Sequence, residues 1–530
     1  MRKVLLLQRR VLLLIWSVCC LQMMWAQALR NPVIPGFHPD PSICRVGADY
    51  YLVNSSFEYF PGVPVFHSTD LQNWQQIGNV LNRGSQLSLQ GATGWQGIYA
   101  PTIRHHNGRY YLITTNVGRK SDAASDNFLV TATHPAGPWS EPVWLKQGGI
   151  DPSLYFEGQK CYMVSNPDNT ITLCEIDPKT GRQLTESRSI WRGTGGRWPE
   201  GPHIYKRGGY YYLLISEGGT ELAHSITIAR SRHIYGPYEA NPQNPILTHC
   251  SLKGQDSPIQ GTGHGDLVED KDGRWWMAFL AYRHYNGSYH HLGRETFLAP
   301  VEWTADGWPV VNGGEPIALN EPPKRNRYVD FAKPLGPEMV YIQNPDSTAY
   351  WQHDGKMRLY GSIHEMSDNR QPTYVGMRQE SAAFTLDTKI SEHDFEDGDE
   401  AGLCVYQMHE GYVQCCLNNY RGFNRLKVRL FLKGVRVLLV DRNLGGELID
   451  QMWLRVKSDG KTYSFYYSAD GVKYHFLQSV NCSLLSTETV GGFTGVTLGI
   501  YALSGNTKYQ AGRSFADFDY MEYREEYREE

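Results

Sequence analysis

Apolar and polar positions along the chain repeat one pattern five times. In each copy a short turn leads into an apolar strand, and an aromatic pair or its equivalent begins nine residues after the second residue of that turn. A second tight turn precedes each pair, so each copy is typical of a β-hairpin. The five first turns are Asp40-Pro41-Ser42-Ile43, Ala100-Pro101-Thr102-Ile103, Asp151-Pro152-Ser153-Leu154, Gly201-Pro202-His203-Ile204 and Gly265-Asp266-Leu267-Val268.

The spacing of these copies indicates the architecture. Successive copies lie 50 to 64 residues apart, and repeats of this length made of short strands are typical of four-stranded propeller blades. The pattern therefore predicts an all-β chain that begins with a five-bladed β-propeller over residues 29–320. A β-sandwich with aromatic hairpins is the alternative, but the constant nine-residue offset favours the propeller.

A different pattern follows Leu319. Residues 321–339 open with a proline-rich segment and are predicted to be a linker. Beyond them, Asp459-Gly460 and Asp470-Gly471 separate strand-like runs and indicate hairpin turns. One run alternates strictly, with Leu426, Val428, Leu430 and Leu432 on one side and Lys427, Arg429 and Phe431 on the other. These features predict a concanavalin A-like (jelly-roll) β-sandwich over residues 340–526, followed by a tail at 527–530.

The first 28 residues have the pattern of a secretory signal peptide. A basic start precedes an apolar run at 11–25 that is short for a membrane span, and Ala26-Gln27-Ala28 fits a cleavage site. The sequence therefore predicts a secreted protein, periplasmic or extracellular, that has no membrane contact after cleavage. A retained anchor is the alternative. Lipidation at Cys19 or Cys20 is disfavoured by the preceding Val18.

Composition and charge narrow the choice of partners. Because residues 1–28 carry four positive charges and no negative ones, their removal changes the net charge from −4 to −8. A mildly acidic chain without a basic run is a poor candidate for binding nucleic acid. Aromatic residues make up 12% of the chain, which suits sugar binding, although β-rich proteins use many aromatic residues in any case. The cysteines form no pattern typical of a zinc site.

The repeat also predicts a functional site. Equivalent positions of propeller blades lie on a ring around the axis, and at that ring the five copies offer Asp40, Tyr99-Ala100, Asp151, Glu200-Gly201 and His264-Gly265. Three carboxylates placed together repel one another, so at least one pKa should be raised. Repulsion between the carboxylates lowers the stability of the folded state. Their placement together therefore favours a chemical role over a purely structural one. The alternative is that each Asp caps a turn.

Hydrolysis of a glycosidic bond requires this kind of carboxylate set. One carboxylic acid protonates the departing oxygen, and a carboxylate activates water or attacks the sugar carbon. A third charge nearby can keep the acid protonated near neutral pH. The sequence has no G-x-S-x-G nucleophile elbow and no glycine-rich phosphate loop. The site therefore predicts a glycosidase that acts on oligosaccharides or polysaccharides.

At these residues the sequence resembles glycoside hydrolase family 43, the group of β-xylosidases and α-L-arabinofuranosidases. The C-terminal part is similar to the sandwich domain of the β-xylosidase branch, so the resemblance covers nearly all of the chain after residue 28. The motifs that carry it are NPVIPGFHPDPSI at 31–43, SFEYFPG at 56–62, DPSL at 151–154, EGPH at 200–203 and GRET at 293–296.

The resemblance implies roles for the three carboxylates. Asp40 would be the general base, Glu200 the general acid, and Asp151 would orient Glu200 and raise its pKa. The implied activity is exo-acting, inverting hydrolysis that releases xylose, arabinose or both during xylan degradation and related plant cell-wall carbohydrate metabolism. The alternatives are a non-catalytic carbohydrate-binding propeller and an endo-arabinanase.

The resemblance further implies substrate-binding roles for five residues, Phe57, Tyr99, His264, Arg294 and Phe493. Arg294 would bind sugar hydroxyls, Phe57 and Tyr99 would form walls, and Phe493, in a sandwich loop, would close one end of the pocket. No cofactor is expected to be required. His264 is the one candidate metal ligand, because some relatives hold a calcium ion near the axis.

Each of these roles has a structural alternative. Arg294 would then form a surface salt bridge, Phe57 would belong to a blade core, and His264 would be a structural histidine. Tyr99 departs from the family pattern, since β-xylosidases often carry Trp there, which leaves the choice between xylose and arabinose open. The oligomeric state is also left open.

Overall fold

The computed structural model describes residues 29–118, 126–250, 257–445, 451–505 and 514–526. These residues are nearly all β-structure. The predicted signal peptide at 1–28 and the predicted tail at 527–530 lie outside them. The described helical segments are short, and none is long and apolar enough to cross a membrane. They are the 3-10 turns Pro167–Asn169, Asn312–Gly314, Ser347–Ala349, Met366–Asp368 and Cys482–Leu485 and the α-helix Thr487–Val490.

Strands β1 to β23 occupy the part of the chain that carries the repeat. They are β1 (Ser42–Val46), β2 (Asp49–Val53), β3 (Tyr59–Phe60), β4 (Gly62–Ser68), β5 (Gln75–Leu81), β6 (Gly97–Ile98), β7 (Thr102–His106), β8 (Arg109–Val117), β9 (Asn127–Ala132), β10 (Val143–Trp144), β11 (Ile150–Glu157), β12 (Lys160–Asn166), β13 (Ile171–Ile176), β14 (Arg188–Trp191), β15 (Glu200–Arg207), β16 (Tyr210–Glu217), β17 (Ser225–Ser231), β18 (Glu239–Ala240), β19 (Leu247–Thr248), β20 (Ile259–Glu269), β21 (Trp275–Arg283), β22 (Glu295–Trp303) and β23 (Pro309–Val311).

These strands form five antiparallel sheets in chain order. The sheets are β1-β2-β4-β5, then β7-β8-β9-β10 with β6 also on β8, β11-β12-β13-β14, β15-β16-β17-β18 with β19 also on β17, and β20-β21-β22-β23. The first strands contact one another in sequence, β1 with β7, β7 with β11, β11 with β15 and β15 with β20, and β20 contacts β1. The five first strands therefore close a ring.

The first two strands of each sheet are the five predicted hairpins. In the first of them, Tyr50 of the aromatic pair lies opposite Arg45. Each hairpin turn holds a glycine at positive φ, where a residue with a Cβ is disfavoured. These glycines are Gly47, Gly108, Gly158, Gly209 and Gly273. The repeat in the sequence thus arises from one turn geometry that the chain uses five times.

Strands β24 to β38 build the C-terminal part. They are β24 (Asn326–Asp330), β25 (Tyr341–Ile342), β26 (Tyr350–His353), β27 (Lys356–Tyr360), β28 (Thr373–Arg378), β29 (Ala383–Asp394), β30 (Glu400–Met408), β31 (Gly411–Tyr420), β32 (Phe423–Leu432), β33 (Val435–Asn443), β34 (Met452–Asp459), β35 (Thr462–Ser468), β36 (His475–Asn481), β37 (Thr497–Leu503) and β38 (Phe515–Glu525).

Two sheets of this part enclose one apolar core. One sheet has the order β26-β27-β38-β29-β34-β35-β36 with β24 also on β38, and the other has the order β28-β37-β30-β31-β32-β33. In β32 the predicted alternation holds, because Leu426, Val428 and Leu430 are buried in the core between the sheets. Asp459 ends β34 at one of the predicted turns.

The connection between the two parts differs from a plain linker. Residues 321–339 were expected to carry no element, yet they contain β24, which pairs with β38 along its whole length. Apolar Val329 of β24 is buried in the sandwich core. The sandwich sheet therefore begins inside the segment that the prolines suggested was a linker.

The two parts also share structure away from this connection. Strand β25 pairs with β3, with Tyr341 opposite Phe60. One buried cluster joins side chains of both parts, among them Phe57 and Tyr59 from the first and Tyr374 from the second. The segment at 57–60 is therefore held by the sandwich as well as by the first sheet. The eight described cysteines, from Cys44 to Cys482, are all free.

Candidate active site

An unusual backbone conformation marks the start of the first strands. Asp40 and Asp151 both have φ of 52°, Gly201 has 57° and His264 has 47°. Residues other than glycine rarely adopt positive φ, and such strained positions cluster at functional sites. The alignment of the repeat had placed Gly265 at this position in the fifth copy. The structure places His264 there instead, because the hairpin closed by Asp266 and Ala278 is one residue longer than the hairpin closed by Ser153 and Val164, so counting back from the aromatic pair stops one residue short.

All eight residues singled out from the sequence line one pocket. It has a volume of about 360 Å³ and lies where the first strands begin. Its lining residues are Asp40, Phe57, Trp95, Tyr99, Ala100, Ile150, Asp151, Trp198, Glu200, Gly219, Thr220, Glu221, His264, Arg294 and Phe493. A larger cavity of about 710 Å³ lies elsewhere, beside β24, and none of the three carboxylates lines it.

Asp40 is a buried carboxylate that is held in place from two sides. Ser55 Oγ donates a hydrogen bond of 2.5 Å to Asp40 Oδ2, and Arg294 Nη1 donates one of 3.1 Å to Oδ1. His264 Nδ1 lies 3.8 Å from Oδ1. Burial alone would raise the pKa of Asp40, but Arg294, His264 and Ser55 outweigh it, and the pKa lies below its ordinary value. Asp40 is therefore ionised.

Asp151 and Glu200 have the opposite electrostatics. Burial and the charge of Asp40 raise the pKa of Asp151 to about 6, against the opposing effect of His264. Burial, followed by the charges of Asp151 and Asp40, raises the pKa of Glu200 well above its ordinary value. Gly201 N donates a hydrogen bond of 3.1 Å to Asp151 Oδ2. Asp151 therefore fixes the peptide unit that follows Glu200. Its charge also disfavours the ionised form of the Glu200 side chain.

His224 lies beside Glu200. Its Nε2 is 3.6 Å from Glu200 Oε1, and this buried atom has no hydrogen-bond partner among the described residues. Nδ1 lies 3.2 Å from the carbonyl oxygen of Gly261, and since a carbonyl only accepts, Nδ1 carries the hydrogen. Burial lowers the pKa of His224 to about 3. The ring is therefore neutral, and the lone pair of Nε2 is available to Glu200.

Aromatic side chains form one wall of the pocket. Phe57 lies 5.1 Å from Tyr99 and 5.6 Å from Phe493, measured between ring centroids. Phe493 N donates to the carbonyl of Gly94, and the Phe493 carbonyl accepts from Arg294 Nη2 at 3.3 Å. The sandwich thus contributes both a ring to this wall and an anchor for Arg294. The Tyr99 hydroxyl donates to the carbonyl of Trp95 at 2.6 Å.

Sequence reasoning missed several residues at this pocket. Trp95 and Trp198 line it, and these residues are 43% and 48% exposed. Both lie within four residues of a ring position, Tyr99 or Glu200, and this proximity is a signal that could have found them. Glu221 and His224 lie in the connection between β16 and β17, where the repeat predicts nothing.

The predicted calcium ligand, His264, lies among few oxygen donors. Calcium takes six to eight oxygen ligands, whereas the nearest carboxylate, Asp40, already accepts hydrogen bonds from Ser55 and Arg294. Among the described residues, His264 belongs to no group of three His, Cys, Asp or Glu side chains close enough to share an ion. These side chains do not form a calcium cage on their own.

The chain matches known families over both of its parts. Residues 29–309 match the model of glycosyl hydrolases family 43, and residues 329–524 match that of the β-xylosidase C-terminal concanavalin A-like domain. The fold and the site thus define a glycosidase with a β-sandwich domain. The protein belongs to glycoside hydrolase family 43.

Relatives cover nearly the whole chain. The non-reducing end α-L-arabinofuranosidase of Bacteroides ovatus is 41% identical over 97% of this chain and 98% of its own length. The xylosidase/arabinosidase of Butyrivibrio fibrisolvens is 38% identical over 93% of this chain and 98% of its own. A solved Bacteroides ovatus structure, described as xyloglucan PUL GH43B, has a TM-score of 0.87 and 40% identity, and the match covers 94% of this chain and 99% of that one.

Proposed function

We propose that the protein is an exo-acting, inverting glycoside hydrolase that releases xylose, arabinose or both from plant cell-wall oligosaccharides and polysaccharides. The observation that carries this proposal is the difference between two carboxyl groups in one pocket. Arg294 and Ser55 hold Asp40 as a carboxylate, while burial and neighbouring charge keep Glu200 protonated. Glycoside hydrolysis needs one group in each state.

Asp40 has the features of a general base that activates water. A base must be ionised and fixed in orientation, and the two hydrogen bonds to Asp40 serve both needs. Arg294 binds Asp40 and faces the same pocket, so it can also donate to hydroxyls of the sugar. Inversion further requires the Asp40 and Glu200 carboxyl groups to be about 6.5–9.5 Å apart, which leaves room for the attacking water.

Glu200 has the features of the general acid. It must carry a proton at the working pH, and its raised pKa provides this. Asp151 is the positioning residue, through its bond to the Gly201 amide and through its charge. The rate should rise with pH through the low pKa of Asp40 and fall as pH passes the raised pKa of Glu200, which gives a bell-shaped profile.

The shape of the pocket favours release of sugars from chain ends. Phe493 lies against Phe57 and Trp95 and covers one side of the pocket, whereas an endo-acting enzyme needs a groove that is open at both ends. The aromatic wall beside Tyr99 supports the binding of a pentose ring. The names of the two curated relatives support arabinose and xylose as the released sugars.

We infer that the five sheets are the blades of a five-bladed propeller, which the closed ring of first strands supports. The basic and apolar pattern of residues 1–28 supports export to the periplasm or the extracellular space. A calcium ion near His264 stays a prediction, and its ligands would have to be mostly water.

Hydrolysis of two chromogenic substrates tests the proposed activity. We expect turnover of 4-nitrophenyl α-L-arabinofuranoside, 4-nitrophenyl β-D-xylopyranoside or both, and release of single sugars from xylo-oligosaccharides and arabinan. Proton NMR during hydrolysis of a β-xyloside should show α-xylose first. A folded protein that turns over neither substrate contradicts the proposal, and longer fragments from arabinan would indicate the endo-acting alternative. A first product with the β configuration would exclude inversion.

We further propose that His224 positions the proton of Glu200. A movement of about half an ångström would bring Nε2 within hydrogen-bond distance of Oε1, and apo structures often show such catalytic contacts as too long. Only the protonated form of Glu200 can donate to a neutral Nε2. His224 therefore favours the acid form, and its removal should lower the pKa of Glu200.

The variant His224→Ala should shift the alkaline limb of the pH profile of kcat/KM to lower pH by about one unit, the size of one hydrogen bond to the acid form. The variant His224→Gln, whose side-chain amide can accept near the position of Nε2, is the matched control and should shift the limb less. Profiles of all three proteins give the comparison. An unchanged alkaline limb in His224→Ala contradicts this role.

A further inference from the structure

A cluster of three side chains lies outside the pocket, between the two parts of the chain. His284 and His290 come from the hairpin that follows β21, and Glu488 comes from the helix Thr487–Val490 of the sandwich part. One ligand atom from each lies within 4.8 Å of the other two, and no other group of His, Cys, Asp and Glu side chains among the described residues meets this condition.

We propose that this cluster is a binding site for a divalent transition metal ion of the zinc type. Two imidazoles and one carboxylate are a donor set that Zn²⁺ accepts, with water as a fourth ligand. Ca²⁺ and Mg²⁺ prefer sets made of oxygen donors, so this set discriminates against them.

The side chains are already oriented toward one another. His290 Nδ1 donates to Glu488 Oε1 at 2.5 Å, and His290 N donates to Oε2 at 3.0 Å. The ring of Tyr282 stacks on His290 at 4.0 Å and lies 5.3 Å from His284, measured between centroids. This ring fixes the orientation of one imidazole and borders the other, so the cost of ordering the ligands is reduced.

Metal binding would replace one proton of this cluster. The ion takes the place of the hydrogen between His290 Nδ1 and Glu488 Oε1: a neutral ring then carries its hydrogen on Nε2, whereas an imidazolium ring releases the Nδ1 proton to solvent. Ligand atoms around tetrahedral zinc are about 3.3 Å apart, given bonds of about 2.0–2.1 Å. The His290–Glu488 contact must therefore open by about 0.8 Å, and His284 must approach. The Glu488 side chain is 32% exposed, so it has room to move and the ion has a path from solvent.

The site would connect a surface ion to the wall of the pocket. Thr487 N donates to the carbonyl of His290 at 3.3 Å, and Gly491 N closes the helix on Thr487. Phe493 follows two residues after Gly491 and lines the pocket. An ion that joins Glu488 to His290 thus holds the segment that carries Phe493. An effect of this ion on substrate affinity rests on the proposed glycosidase function, whereas binding of the ion itself does not.

Calorimetry and thermal unfolding test the site without any activity assay. The full chain, without a histidine tag and after treatment with a chelator, is titrated with ZnCl₂. We expect one equivalent of Zn²⁺ to bind, and the Tm to rise by a few degrees because the ion binds the folded state. An excess of CaCl₂ should leave the Zn²⁺ stoichiometry at one equivalent, because a donor set with two imidazoles disfavours Ca²⁺. Failure of the wild-type protein to bind one equivalent of Zn²⁺ overturns the proposal, whether or not the protein hydrolyses glycosides.

Three variants locate the ion. His284→Ala leaves the hydrogen-bonded pair of His290 and Glu488 intact, so it should fold as the wild type does and lose both the stoichiometric binding and the rise in Tm. Glu488→Gln removes the anionic ligand and should lose them as well. His134→Ala removes an exposed histidine between β9 and β10 that does not belong to the cluster, and this variant should keep both. Wild-type binding in His284→Ala, or loss of binding in His134→Ala, would contradict this location.

Discussion

Replacing Asp40 with asparagine should abolish hydrolysis of every glycoside, whatever its leaving group. Without the Asp40 carboxylate the attacking water loses its base, and general base catalysis contributes about 10²–10⁴-fold to a rate. We therefore expect kcat/KM to fall at least about 10³-fold. The measurement compares 4-nitrophenyl and 2,4-dinitrophenyl glycosides with an unactivated oligosaccharide, and all three should lose activity to a similar degree.

Asparagine is a suitable replacement because it has the shape of aspartate and can accept from Arg294. A matched control is Asp70→Asn, which makes the same change in the turn before β5, where Asp70 accepts from Ser68, Gln72 and Asn73. That variant should keep activity within about twofold of the wild type. Retention of more than a tenth of wild-type activity by folded Asp40→Asn would exclude Asp40 as the base.

Replacing Glu200 with glutamine should have an effect that depends on the leaving group. A sugar leaving group must receive a proton, so hydrolysis of xylobiose should fall by about 10³-fold or more. A dinitrophenolate departs without protonation, so its glycoside should lose far less. The dependence of log kcat/KM on leaving-group pKa should therefore become steeper, and the alkaline limb of the pH profile should disappear because it reports the ionisation of Glu200.

The matched control for this change is Glu157→Gln. Glu157 lies at the far end of β11, where it accepts from Lys206 and Tyr211 and does not line the pocket. Its replacement should leave the leaving-group dependence as in the wild type. Equal losses on activated and unactivated substrates in Glu200→Gln would contradict the role of general acid and would favour a structural role for this buried group.

The repeat allowed the five hairpins and the location of the site to be predicted because both depend on local geometry. A glycine at positive φ fixes each turn, and the residue that begins each first strand follows from the spacing. Asp40, Asp151 and Glu200 could be placed together on this basis alone. Alternating burial likewise made β32 recognisable, since its two faces meet different environments.

Features that do not repeat along the sequence could not be predicted in this way. One extra residue in the fifth hairpin moves the fifth ring position from Gly265 to His264, and a constant spacing does not register such an insertion. His224 reaches Glu200 from a connection between strands, where only tertiary packing sets its position. Strand β24 was not predicted, because its partner β38 lies almost 200 residues later in the chain.

The anchoring of Arg294 to the Phe493 carbonyl defines the smallest piece of this chain that can be an enzyme. The guanidinium that holds the Asp40 carboxylate is itself bound by a loop of the other domain. The sandwich is therefore not an appended module that can be exchanged or trimmed while the catalytic domain stays intact. A gene fusion, a recombination event or an engineered variant must therefore keep the two domains together to keep the site intact.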